Sequence, residues 1–198
     1  MHVTLQREPD CFDESIRKPG NRFLIQEHIN LYLPLPPKTE LRDYWKKCKI
    51  ETHKAYDGIC AYLGIYLEMV SGSVSIDHYI PKSVLPSLAY EWKNYRLCSS
   101  LANSRKREHL DVIDPFYIDD DWFLLDFING AICPNPDLAP YQMEYAEGTI
   151  SRLKLDDGDM RKMRLNCWND YVKREITQHF LERKAPFIYK EALRQGLL

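Results

Sequence analysis

The stretch IDHYIPKSVLPSLAYEWKNYRLCSSLANSRKRE, residues 76–108, is the most informative part of the 198-residue chain. Leading into it, Val74-Ser75-Ile76 has the β-branched, alternating character of a strand entered from a turn at Ser71-Gly72-Ser73. A second short run, NYRLC at 94–98, also suits a strand, and an irregular loop containing Pro81 and Pro86 separates the two. The following SSLANSRKRE, residues 99–108, reads as a helix. The predicted order is therefore strand, loop, strand, helix.

Chemically versatile side chains fall at the ends of these elements. Asp77 and His78 close the first strand, Asn94 opens the second, and Asn103 sits on the helix with Arg105, Lys106 and Arg107 just beyond. An acid beside a histidine is a weak signal alone. If the unit folds so that the first strand's end faces the helix, Asp77 and Asn103 present oxygens to one point with His78 beside it. A hard divalent cation prefers oxygen ligands and tolerates only one or two protein groups, completing its shell with water and phosphate. It would stabilise charge building on a phosphodiester, while an imidazole takes a proton from water near neutral pH. Lys82, Arg105, Lys106 and Arg107 would hold the flanking phosphates. Local charge agrees: residues 75–110 hold six basic groups against three acids, in a chain of net charge −2.

On these residues the segment resembles the HNH, or ββα-metal, endonucleases, whose core reads roughly D-H-x-x-P, N-x-x-L, N-x-x-K. The matching positions are Asp77-His78-Tyr79-Ile80-Pro81, Asn94-Tyr95-Arg96-Leu97 and Asn103-Ser104-Arg105-Lys106. The resemblance implies His78 as general base, Asp77 and Asn103 as ligands of one Mg²⁺ or Mn²⁺, and Asn94 as the residue that ties the loop down and holds the histidine. It covers residues 58–108 and extends more loosely through IDPF at 113–116 and TISRLKL at 149–155. The phrase YEWKNYRL, residues 90–97, is most similar to the Septu-type effector nucleases of bacterial anti-phage systems, which work beside an ABC-type ATPase. Nucleic acid is the implied substrate, DNA first and RNA such as tRNA second. The alternative is a non-cleaving nucleic-acid- or partner-binding module on a degenerate HNH fold.

The chain departs from the family at a structural zinc that two CxxC pairs often hold. Cys60 and Cys98 remain, but Leu63 and Leu101 stand where the second thiolates belong. Two cysteines cannot complete a closed four-ligand shell, so structural zinc is not expected there. Instead, Leu63 and Leu101 are expected to pack together near the two cysteines.

The rest of the chain sets bounds. With 44% hydrophobic residues it can bury one core, and twelve prolines against eight glycines argue against a low-complexity protein. The longest apolar run, ICAYLGIYLEMV, is too short to span a bilayer, and the charged beginning lacks a signal-peptide core. A cytoplasmic protein with six reduced cysteines and no membrane association is expected. The predicted fold class is α+β, a small ββα-metal core embedded in a mostly helical single domain. Residues 1–38 read as an extended arm, 39–110 as a helix capped by Thr39 plus the core, and 111–198 as an acidic loop/strand segment followed by helices. A long helix is predicted over 159–184, its core stripe running through Met160, Met163, Cys167, Tyr171, Val172, Ile176 and Phe180.

Overall fold

A computed structural model describes residues 1–71 and 73–198 of the chain; Gly72, within the predicted SGS turn, lies outside the described residues. The architecture is α+β: helices and two separate two-stranded antiparallel sheets. The chain divides into two compact units, one of Leu5–Gly58 and Leu67–Leu110, the other of Met1–Thr4, Ile59–Tyr66 and Asp111–Leu198.

In the first unit, the expected extended arm contains a helix. A π-helical turn at Asp13–Arg17 runs into α1 (Lys18–Gln26). Pro19 falls in the first turn of α1, directly after the π-helical turn, whose residues already have helical backbone angles. Phe12, Ile16, Phe23 and Leu24 face inward. Gly20 lies flat on the Tyr90 ring; a Cβ there would come within 2.2 Å of ring carbons. The non-helical stretch past α1 hydrogen-bonds through Leu35 N–H to the Ser83 carbonyl (2.7 Å).

The next helix begins later than Thr39 predicts. A 3₁₀ turn at Tyr44–Cys48 leads into α2 (Lys49–Ala55). The reason lies in the carbonyls upstream. Leu41 accepts from Lys82 Nζ (3.3 Å) and Arg42 accepts from Tyr90 Oη (3.0 Å). Those oxygens serve side chains from the 76–108 stretch instead of a helical ladder.

That stretch folds in the predicted order: β1 (Val74–His78), β2 (Tyr95–Ser99) and α3 (Ser100–Lys106). The strands pair antiparallel from Val74↔Ser99 to His78↔Tyr95, with Ile76 directly opposite Leu97 and both buried. Ser99 caps α3, its Oγ accepting from Ala102 N–H at 3.1 Å. Phe12 meets Trp92 and Tyr95 edge to face, each at 5.4 Å, and Tyr56 stacks on Trp92.

In the second unit, β3 (Phe123–Leu125) and β4 (Ile132–Pro134) form a hairpin. Gly130 at its turn has φ 73°, and a Cβ there would strike the Arg161 carbonyl at 2.4 Å. Four helices follow: α4 (Pro140–Leu153), α5 (Gly158–Val172), α6 (Gln178–Lys184) and α7 (Pro186–Arg194). The predicted long helix is thus two. Arg174 turns left-handed at φ 61°, and Thr177 Oγ1 accepts from Phe180 N–H (3.1 Å) to start α6. The predicted stripe holds in part: Met160 is buried and Met163, Cys167, Tyr171 and Ile176 are half-buried, but Val172 and Phe180 are exposed, and buried Arg164 donates to the carbonyls of Gly130 (2.8 Å) and Leu155 (2.7 Å). The acidic segment pairs within this unit, Asp111 with Arg152 and Asp120 with Lys190, each at 2.7 Å. Among the described residues no helix is long and apolar enough to cross a membrane.

Candidate functional site

The β1–β2–α3 unit is short enough that strand geometry dictates which groups meet. Alternate strand residues point to the same face, so Ser75 and Asp77 share one face of β1, about 6.7 Å apart. Asn103 and Lys106, three apart on α3, stand on one face with their Cβ atoms about 5–6 Å apart. The two pairs match across the gap. Asn103 Nδ2 donates to Ser75 Oγ at 2.8 Å, and Lys106 Nζ reaches the Asp77 carboxylate at 3.2 and 3.4 Å.

Lys106 departs most from its expected place. It was predicted to hold substrate phosphate, but it is 0% exposed and its ammonium also donates to the carbonyls of His78 (3.3 Å) and Tyr79 (2.9 Å). With Asp77 at 3% exposure this is a buried ion pair. The physical cause is the i, i+3 spacing from Asn103, which turns Lys106 toward the sheet instead of toward solvent.

Asn94 clasps the loop between the strands. Its Oδ1 accepts from Ile80 N–H (2.8 Å), and its Nδ2 donates to the carbonyls of Ile80 (2.9 Å) and Leu88 (3.1 Å). The loop so fixed carries Ala89, whose carbonyl accepts from His78 Nε2 (2.9 Å) and Tyr95 Oη (3.1 Å). A carbonyl can only accept, so Nε2 holds the ring proton and Nδ1 carries the lone pair. The Tyr95 ring packs edge-on to the imidazole at 4.9 Å. Burial first, and then the nearby Lys82 ammonium, lower the His78 pKa from 6.5 to about 4. At neutral pH the ring is therefore uncharged and able to take a proton.

Asp77, His78, Lys82, Asn103 and Arg107 line one pocket of about 260 Å³. Lys82 is held by Asp43 at 2.9 Å, while Arg107 is exposed, its Nε donating to the Ser104 carbonyl at 3.1 Å. Arg105 is half-buried and is not among the lining residues. Of the four basic residues expected to grip phosphate, the pocket therefore contains two.

Sequence reasoning missed Asp43, Trp45 and Glu108, which complete the wall. Asp43 and Trp45 come from more than thirty residues upstream, in a segment with no motif to betray them. The Asp43 carboxyl is raised by burial, but Lys82 and Lys46 outweigh this and bring its pKa down to about 2. Ser75, which orients Asn103, was also missed; its signal was its place two residues before Asp77 on one strand face.

The leucine brace expected from the sequence finds one leucine buried and the other at the surface. Leu63 is buried, but Leu101 is 46% exposed because α3 turns Ala102 and Lys106 inward and Leu101 outward. Cys60 and Cys98 are both buried and belong to different units.

Comparison of the sequence with protein-family models and with curated proteins finds no match.

Proposed function

We propose that the chain is a metal-dependent endonuclease of the HNH type, hydrolysing phosphodiester bonds in nucleic acid. The observation that carries this reading is the convergence of Asp77, His78 and Asn103 on one pocket from β1 and α3, with Lys82 and Arg107 beside them. The oxygen donors fit a hard cation. Asp77 supplies a carboxylate, and Asn103, whose Nδ2 is spent on Ser75, offers its Oδ1. A Mg²⁺ or Mn²⁺ held there would neutralise charge developing on the phosphate and the leaving oxygen. His78 Nδ1 would accept the proton of the attacking water, Nε2 being committed to Ala89. Arg107 and Lys82 would hold the flanking phosphates, and Asn94 would keep the ring aimed by fixing the loop that carries Ala89.

DNA is the first substrate to test, with RNA such as tRNA second. The resemblance to anti-phage effector nucleases further proposes a cytoplasmic defence role beside an ABC-type ATPase. The second reading, a binding module that does not cut, draws on the Asp77–Lys106 pair: an ammonium already rests on the carboxylate a cation would use.

Cleavage of plasmid, single-stranded DNA and tRNA, with Mg²⁺, Mn²⁺ or chelator, separates the two readings. A nuclease cuts only with metal and loses roughly 10²–10⁴-fold in rate on His78→Ala with the fold intact. Cutting by His78→Ala at the wild-type rate would sink the mechanism. Tight binding without cutting under every metal condition would favour the module.

A further inference from the structure

The candidate pocket leaves a second cluster of metal-binding side chains in the same unit unused. Cys11 lies just before the Asp13–Arg17 turn, and Cys48 lies immediately before α2. Thirty-seven residues separate them, yet their sulfurs stand 3.0 Å apart. Glu51, one helical turn beyond Cys48, brings its carboxylate to the same place. One ligand atom from each of the three residues lies within 4.8 Å of the others.

We propose that Cys11, Cys48 and Glu51 form a zinc site, with water as fourth ligand. Two thiolates and a carboxylate are a donor set suited to Zn²⁺, which takes four ligands tetrahedrally with Zn–S of about 2.3 Å. That geometry sets the two sulfurs about 3.8 Å apart, an opening of less than about 1 Å from the arrangement here. Cys48 is sealed in the core, while Cys11 and Glu51 are half-buried, so one side of the cluster opens to the water that a three-ligand site requires.

Burial first, then the neighbouring Cys11 and Glu51, push the Cys48 thiol up to about 12. Zinc binding would displace the thiol protons, so affinity should rise with pH. A disulfide would link the same sulfurs but would require an oxidant and leave the Glu51 carboxylate without a role. The site would pin the N-terminal helix to α2 without touching Asp77, His78 or Asn103, and it stands whether or not the chain cuts nucleic acid.

The test uses the full chain, reduced and stripped of metal, titrated with Zn²⁺ against a chromophoric chelator and separately with Co²⁺. The expected result is one ion per chain, a thiolate-to-cobalt charge-transfer band, and a higher Tm on zinc addition. Cys11→Ser, at the half-buried position, should abolish the band while remaining folded by circular dichroism. Glu51→Gln should weaken binding roughly tenfold or more. Cys133→Ser, at an exposed cysteine outside the cluster, should bind as wild type does. The proposal is overturned if Cys11→Ser keeps the ion and the band. It is equally overturned if the reduced wild type takes up no zinc, including the case where thiol counting shows only a Cys11–Cys48 disulfide on oxidation.

Discussion

At the scale of single residues, the environment of His78 makes the most direct prediction. An unperturbed histidine base loses activity as pH falls through about 6.5, but here burial and Lys82 lower that midpoint to about 4. The acid limb of kcat/KM should therefore lie near pH 4–5, and a midpoint at 6.5 would show that burial does not depress His78 in the working site. The same shift acts on stability. Between pH 6.5 and about 4 the unfolded chain binds more protons than the folded one. This histidine's contribution is thus fully present above 6.5 and is lost as pH falls toward 4. The Asp77–Lys106 pair makes a second prediction. Lys106→Met strands a buried carboxylate, which typically costs about 3–5 kcal/mol, whereas removing both charges together is often near neutral. Urea denaturation of Lys106→Met beside Asp77→Leu/Lys106→Met should show the double variant recovering much of the loss. Equal destabilisation would mean that the pair is not isolated from water.

At the scale of elements, the sequence was most legible where side chains, turns and period agree. Strand alternation at 74–76, the NYRLC run and the basic helix end each indicated an element within a residue or two of where it lies. Legibility failed where tertiary partners overrode local signals. Thr39 resembles a cap, yet the Leu41 and Arg42 carbonyls are taken by Lys82 and Tyr90 from the other side of the unit. The 159–184 period reads as one helix because periodicity cannot register the left-handed turn at Arg174. Within the site, Asp77, His78 and Asn103 could be read from spacing, whereas Asp43 and Trp45 could not, since only folding brings them close. Asn94 gives the element-scale prediction. It makes three hydrogen bonds across the β1–β2 loop, and each buried group left unsatisfied costs about 1–3 kcal/mol. Asn94→Ala should lower Tm by several degrees and speed hydrogen exchange at the Ile80 amide. Unchanged exchange there would remove Asn94 from its role as the clasp.

At the scale of the whole molecule, net charge gives no general pull toward nucleic acid, so attraction must come from a few local cations. Of the six basic residues in 75–110, Arg96 and Lys106 are buried, which leaves Lys82, partly exposed beside Asp43, and Lys93, Arg105 and Arg107. Each phosphate neutralised contributes about 0.9 to the slope of log K against log salt on duplex DNA. The slope for the isolated chain should therefore be shallow, with magnitude about 4 or less. A slope near 6 would show a larger contact face than these residues provide. The Asp43–Lys82 contact has a further consequence for how such a site fills. Asp43 is an anion tethered to the very cation that a phosphate would seek, so it acts as a permanently present competitor whose local concentration is set by the fold rather than by the solution. Because the pair is partly exposed, its displacement is worth at most about 1 kcal/mol. Asp43→Ala should thus tighten nucleic-acid binding by about two- to fivefold, read by fluorescence anisotropy at fixed salt. Weaker binding would instead make Asp43 a support that holds Lys82 in place for its ligand. In competitive terms, the proposed site would set its own threshold for which phosphates enter.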